Sequence, residues 1–357
     1  SGTWHWELER IAQAEVTDNV VELMLDSIRR LPAATQRLLT VAACMRGQVD
    51  LWLLARVVEA PLEDTAGALW SALRAGLLVP EGRGPRFPSQ QPDGLMTVHQ
   101  ATYRFAHDRV RHAAYSLLSE AERAAVHRAI ARQLWADARG AESEPRVCEV
   151  VDHYHLGGDV VRDANERTWL AELNLRAGRK VRDASAFEAA LAYFMRARAL
   201  LPEDAWTSRT EQMLQLHRDA AECAQLTGDR LLSERLIDTA MAHARTPLEK
   251  VDLYVLRMNA SIFARDHEAA LRHAREGLRL FGVTLPEGDA TEAFRAELPG
   301  VEALWRSRSE EELLSAPRLD AESELGCMRL LMNAGIAAWF SDPPMFSFIY
   351  TRMVGLT

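Results

Sequence analysis

The sequence predicts a mainly α-helical protein: a winged-helix-like unit with a small β-ribbon, followed by a tetratricopeptide-like array of helix pairs (an α-solenoid). Three observations predict it. Apolar residues recur at helical spacing through most of the 357 residues. One stretch, from Leu77 to Phe105, contains strand-like alternation instead. From Glu166 onward the helical segments come in pairs joined by short polar turns.

Each element has a local reason. Residues 19–31 read as a helix with Asn19 as cap, Glu22 three residues on, and Val20, Leu23, Met24, Ser27, Ile28 and Leu31 on one face. Pro32 ends it and sits in the first turn of the next helix, 33–44. Asp50 caps a third helix, 51–59. Pro61 opens a fourth, which ends near Gly76. Leu77-Leu-Val and the alternating run around Val98, Tyr103 and Phe105 form a two-stranded ribbon around a Pro-, Gly- and Gln-containing tip. At Asp108 the chain turns into another helix, and Ser119-Glu-Ala-Glu122 is a capping box for the one after it.

The array is expected as helices 166–182 and 186–201, 211–226 and 231–244, then 248–264 and 268–281. Starting at Ala171, the first pair supplies the small residues Gly178, Ala190 and Ala197 and the closing Pro202 of the pattern, which repeats about every 34 residues. Later pairs are degenerate. The expected boundaries are 1–18 as a remnant of an upstream module or linker, 19–118 as the winged-helix-like unit, and 119–165 as a helical connector. Then come the helix pairs at 166–285, an irregular spacer at 286–318, and a truncated further repeat at 319–357. Both ends fall inside patterned sequence, so a longer protein is expected.

Composition narrows the function. The formal charge is −9. That weighs against non-specific binding to nucleic acid or to anionic membrane, which require a basic surface. No apolar run reaches the length of a membrane span. Cys44, Cys148, Cys223 and Cys327 stand far apart, with no CxxC pair, and read as buried thiols of a reducing, cytoplasmic protein. No phosphate-binding GxxxxGK[ST] loop, HExxH or GxSxG occurs. In Asp152-His-Tyr-His155 the two imidazoles point to opposite sides of a helix, so they do not chelate a metal together. No catalytic constellation is present, and this segment is expected to be no enzyme and to hold no metal or cofactor.

Three stretches carry a resemblance: "WHWELERIAQAEVTDNVVELMLDSIRRLPAATQRLLTVAACMRGQVDLWLLARVV", "YRFAHDRVRHAAYSLLSEAERAAVHRAIARQL" and "LAELNLRAGRKVRDASAFEAALAYFMRARALLPEDAW". Together they resemble large bacterial signalling proteins. In these, an AAA-like, STAND-type ATPase module is followed by a winged helix and helical repeats. The fullest members add a Ser/Thr kinase domain before the ATPase, and GAF and histidine-kinase domains after the repeats. The resemblance runs from Trp4 to about Pro286. It implies a regulatory arm that reads the nucleotide state of an upstream ATPase, with ATP or ADP and Mg held by that domain. It also implies output domains as partners in cis.

The resemblance further implies a role for His107-Asp108. In STAND-type ATPases the winged helix folds over the nucleotide, and a His at such a corner approaches the ADP β-phosphate. An imidazole N–H suits a phosphate, and so does a helix N-terminus. Here Asp108 is expected to cap the helix and orient the ring. The competing reading makes Asp108 a plain cap and His107 a packing residue. On the array, Arg176, Arg179, Lys180, Arg182, His217 and Arg257 fall on first helices, which in such arrays line the concave face. They are the expected contact for an acidic protein partner; the alternative is that they are solvated residues at helix ends. Two other functions compete: a stand-alone adaptor binding peptides or proteins, and a winged-helix DNA-binding regulator. The second is disfavoured by Glu63 and Asp64 on the candidate recognition helix.

Overall fold

A computed structural model describes residues 16–45, 47–81, 101–138, 146–158, 164–309, 311–312, 315 and 319–356. The chain divides into two compact units, 1–162 and 163–357. Val98, the ribbon tip and the residues before Val16 lie outside the described residues.

In the first unit, α1 (Val16–Arg29) and α2 (Ala33–Cys44) pack against α5 (Asp108–Ser116). Helix α1 is already under way at Val16, so Asn19 is not its cap. Between α2 and α5 come β1 (Val49–Asp50), α3 (Leu51–Val57), α4 (Leu62–Arg74), β2 (Leu78–Glu81) and β3 (Thr102–Phe105). Asp50 caps α3 as expected, its Oδ1 accepting from the N–H groups of Trp52 and Leu53 at 2.9 and 3.1 Å. Gly76, at φ +69°, lets the chain leave α4 while the Leu77 N–H returns to Ala72 O.

The expected two-stranded ribbon is a three-stranded antiparallel sheet in the order β1-β3-β2. Val49 faces Tyr103, and Leu78 faces Phe105. The third strand is only two residues long, too short to show a period. Pro80 is tolerated because β2 is an edge strand, where a missing N–H breaks no ladder bond.

Helix α6 (Glu120–Ala138) starts at the predicted box: Ser119 N–H donates to Glu122 Oε2 at 2.8 Å, and Glu122 N–H returns to Ser119 Oγ at 3.3 Å. It packs on α3 and on α7 (Val147–Leu156). Between α6 and α7, His127 Nδ1 lies 2.9 Å from His153 Nδ1, and the Tyr115 hydroxyl lies 3.3 Å from His127 Nε2. One of the two facing nitrogens must donate and the other accept, so the pair holds together only while one ring is unprotonated there. His153 is buried and His155 exposed, so the structure does not bring these two together.

The second unit is built of helix pairs: α8 (Ala164–Asp183) with α9 (Phe187–Leu200), α11 (Thr210–Leu226) with α12 (Arg230–His243), and α13 (Pro247–Phe263) with α14 (His267–Arg279). A one-turn helix, α10 (Ala205–Ser208), precedes α11. The fourth pair is α16 (Glu322–Ser341) with α17 (Pro343–Gly355). Within the first three pairs the turn is built alike: Ser185, Gly228 and Arg265 each take a left-handed conformation. Asp229 and Asp266 then cap α12 and α14.

The segment expected as an irregular spacer, 286–318, contains a helix, α15 (Thr291–Ser307), which packs on α17. Pro299 does not break it. Its lost N–H costs one bond in a 17-residue helix whose Pro299–Gly300 side faces solvent.

Small residues set the spacing within pairs. A Cβ on Gly178 would stand 2.6 Å from the ring of the fully buried Phe194. Gly178→Ala is therefore expected to destabilise by roughly 1–3 kcal/mol despite alanine's better helix propensity. Gly300, with nothing near its missing Cβ, should gain up to about 1 kcal/mol from the same change. Thermal melts of the two variants in opposite directions check this.

Candidate functional site

Two groups of residues were singled out by sequence, one in each unit. In the first unit, β3 ends at Phe105 and the chain crosses Ala106-His107 into α5. His107 is extended (φ −151°, ψ 145°) and is itself the N-cap. Its Nδ1 accepts the Arg109 N–H at 3.2 Å. Asp108, expected to be the cap, is the first residue of the helix. Its carboxylate stands outside and meets Arg111 one turn on, at 3.9 Å.

The tautomer follows from the cap. A neutral imidazole that accepts at Nδ1 carries its proton on Nε2, so the exposed His107 ring keeps one N–H donor. An open depression of about 640 Å³ lies beside it, lined by Gly47, Arg104, Phe105, Ala106, His107, Asp108 and Arg111. Two guanidinium groups, one imidazole and the first turn of α5 thus share one concave surface, with Asp108 the only carboxylate among the described lining residues. That set of donors suits a phosphate-like anion.

In the second unit the predicted cationic surface is rearranged. Arg179 and Arg182 of α8 both reach Asp219 of α11, at 3.5 and 3.1 Å. Arg218 joins them at 3.2 Å. Asp219 is 1% exposed. Arg218 also reaches Asp252 of α13 at 2.6 Å, and Arg329 of α16 pairs with the same carboxylate. One ladder of alternating charge therefore joins the first helices of all four pairs. Arg257 pairs with Asp238 of α12, so its charge is also matched. Arg176 and Lys180 stand exposed on α8.

His217 is not on the surface at all. It is 1% exposed, its Nδ1–H donating to Met213 O at 2.8 Å, with its ring 4.7 Å from Trp206, which stacks on His243. Burial pushes its pKa down to about 4, with Arg198 and His243 adding to the shift and the Met213 bond opposing it. Sequence reasoning missed Asp219, although a carboxylate beside Ala220-Ala221, on the face that approaches the neighbouring helix, was a usable signal. Cys44 and Cys223 are inert thiols, pushed by burial up to about 12 and about 11.

Among the described residues no group of three or more His, Cys, Asp or Glu gathers as for a metal ion. Nor is any helix there long and apolar enough to cross a membrane. No family model matches the chain. It is 24% identical over 294 residues to the hybrid signal transduction histidine kinase G of Dictyostelium discoideum, a match covering 68% of this chain and 8% of that protein. The chain thus spans less than a tenth of that relative. Among solved structures, a STAND (signal transduction ATPase with numerous domains) protein with a tetratricopeptide repeat sensor, from Pyrococcus horikoshii, superimposes at a TM-score of 0.31. The identity is 12%, and the match covers 92% of this chain and 53% of that one. A score that low carries no argument, and the mainly helical, paired architecture rests on its own packing.

Two outcomes are expected. The double change Arg179→Ala/Arg182→Ala should not leave the fold untouched, as reading both side chains as surface residues would imply. It leaves a buried carboxylate with one partner, at a cost of roughly 2–3 kcal/mol after allowing for the partial exposure of the arginines. A fall in melting temperature of about 5–10 °C in a unit this size checks it.

His217 sets a pH dependence. The unfolded imidazole titrates near 6.5 and the folded one at about 4, so between these values the unfolded state holds more protons. The contribution is complete above pH 6.5 and is lost as pH falls toward 4, by up to about 3 kcal/mol. Melting of the chain and of His217→Gln, at pH about 7 and about 5, should show the larger drop for the unaltered chain.

Proposed function

We propose that the chain is a non-catalytic regulatory and protein-interaction segment of a cytoplasmic signal-transduction ATPase or kinase. In this reading the first unit is a winged-helix-like module. Its order, helix–strand–helix–helix–strand–strand from α2 to β3, supports that. Its corner at His107 reports the nucleotide held by an upstream ATPase domain, which would bind ATP or ADP with Mg. The array passes the state on to output domains in cis or to a protein partner. The similarity to a hybrid signal transduction histidine kinase supports a place in signalling.

The observation that carries the reading is the exposed His107 ring, held at Nδ1 by its own cap bond in one depression with Arg104 and Arg111. A cap that fixes one nitrogen as acceptor leaves the other as a preset donor, so no proton has to be moved when an anion arrives. Asp108 is not the cap; its carboxylate stands 3.9 Å from Arg111.

The segment itself is expected to release no phosphate from ATP, since neither a phosphate loop nor a metal-holding carboxylate belongs to it. In the full protein, His107→Ala should weaken ADP retention about tenfold, the worth of one hydrogen bond to a charged group. It should also raise basal output. Displacement of a fluorescent ADP analogue measures the first. Unchanged ADP affinity together with unchanged output would overturn the sensor role.

A further inference from the structure

The fourth pair carries an apolar stripe that stays exposed among the described residues. On α16, Leu325, Met332, Ile336 and Trp339 are 42, 52, 46 and 63% exposed. Their spacing of seven, four and three residues places them within about 60° of one another on the helix, along some 21 Å. This stripe lies opposite the face that α16 buries, which includes Leu330 and Ala334. Such a stripe is unusual for a surface, because exposed apolar residues normally stand singly.

Helix α17 extends the seam. Tyr350 and Val354, one turn apart, are 43 and 42% exposed. The Tyr350 ring lies against α16 at Gly335, where an added Cβ would be 2.9 Å away. From Leu325 to Phe340 the only charged residue is Arg329, and Asp252 already holds it.

The same seam occurs one pair earlier and is filled there. Val251, Val255, Met258 and Ile262 run along α13 at the same kind of spacing. They pack into a core shared with Cys327, Leu330 and other residues of α16. The rule is repeated: α13 lies against both α11 and α12, and α16 against both α13 and α14. The composite face of α16 and α17 continues an interface that the chain already builds twice.

We infer that this seam docks an amphipathic helix of a further pair of the same array type, laid across α16 and α17 as α16 lies across α13 and α14. Its contact face would be aliphatic, with little charge, because the one charged residue of the seam, Arg329, is already paired with Asp252. The inference is independent of the nucleotide reading. It uses only the second unit, and its failure would leave His107 untouched.

The probe is a labelled helical peptide that carries the inward residues of α16, Leu330, Leu331, Ala334 and Ala338, on an otherwise Glu- and Lys-rich sequence. Those residues already fit a seam of this kind. Fluorescence anisotropy should show saturable binding to the chain. Ile336→Asp should weaken it by about tenfold or more, since a carboxylate would have to be desolvated in the contact. Met332→Gln, which keeps helix propensity, should weaken it less, and an unchanged circular dichroism melt shows both variants folded. Absence of saturable binding, or binding unaffected by either variant, would overturn the inference. So would sedimentation showing that the unaltered chain dimerises through this face and that Ile336→Asp abolishes the dimer, because the occupant would then be a second copy.

Discussion

An interior first helix of a paired array must be apolar on two sides, and α13 shows what that demands. Leu253 and Leu256 belong to the core shared with the preceding pairs, while Val251 and Met258 belong to the core shared with α16. Only the strip between these faces is left for polar residues, and it carries Asp252. Most of the array follows from this constraint. Small residues let two helices approach the same neighbour, and the charged groups that remain line up along the inner strip, within reach of one another from pair to pair.

That alignment explains the ion-pair ladder. Arg179, Arg182, Asp219, Arg218, Asp252 and Arg329 lie on successive first helices, and each finds its opposite charge across a helix boundary. The energetic role differs along the ladder. Asp219 is buried, so losing its partners leaves a desolvated charge, whereas Arg329 is half-exposed and its loss should matter little. A surface that looks cationic in sequence is, in the folded array, matched internally at the positions that are tied. An acidic partner would have to compete with Asp219 for those arginines.

The His107 corner works on the opposite principle. It is held by one short-range bond, from the Arg109 N–H, and is otherwise open. The rigid part is the sheet behind it, where Leu78 pairs with Phe105 and sets the point at which β3 ends. The corner's geometry is therefore fixed while its donors remain available, which is the arrangement a binding site needs.

How much of this was legible follows from the range of each interaction. Caps, boxes and turns act within four residues, so Asp50, the Ser119–Glu122 box and the Pro202 stop were readable, and most helices fall within two or three residues of expectation. The failures are of two kinds. One is local but finely balanced: Asn19 and Asp108 each sit where a cap was plausible, and neighbouring backbone decided otherwise. The other is non-local. That Val49–Asp50 would pair with Thr102–Tyr103, that Asp219 would gather arginines from two helices, and that His217 would be buried under Trp206 are contacts between distant residues. By itself, the sequence determined where most of the helices lie and how the first three pairs are joined. Tertiary structure alone decided which charges are matched, whether His217 is buried and which apolar stripe stays exposed among the described residues, because each depends on what a distant helix brings to that place.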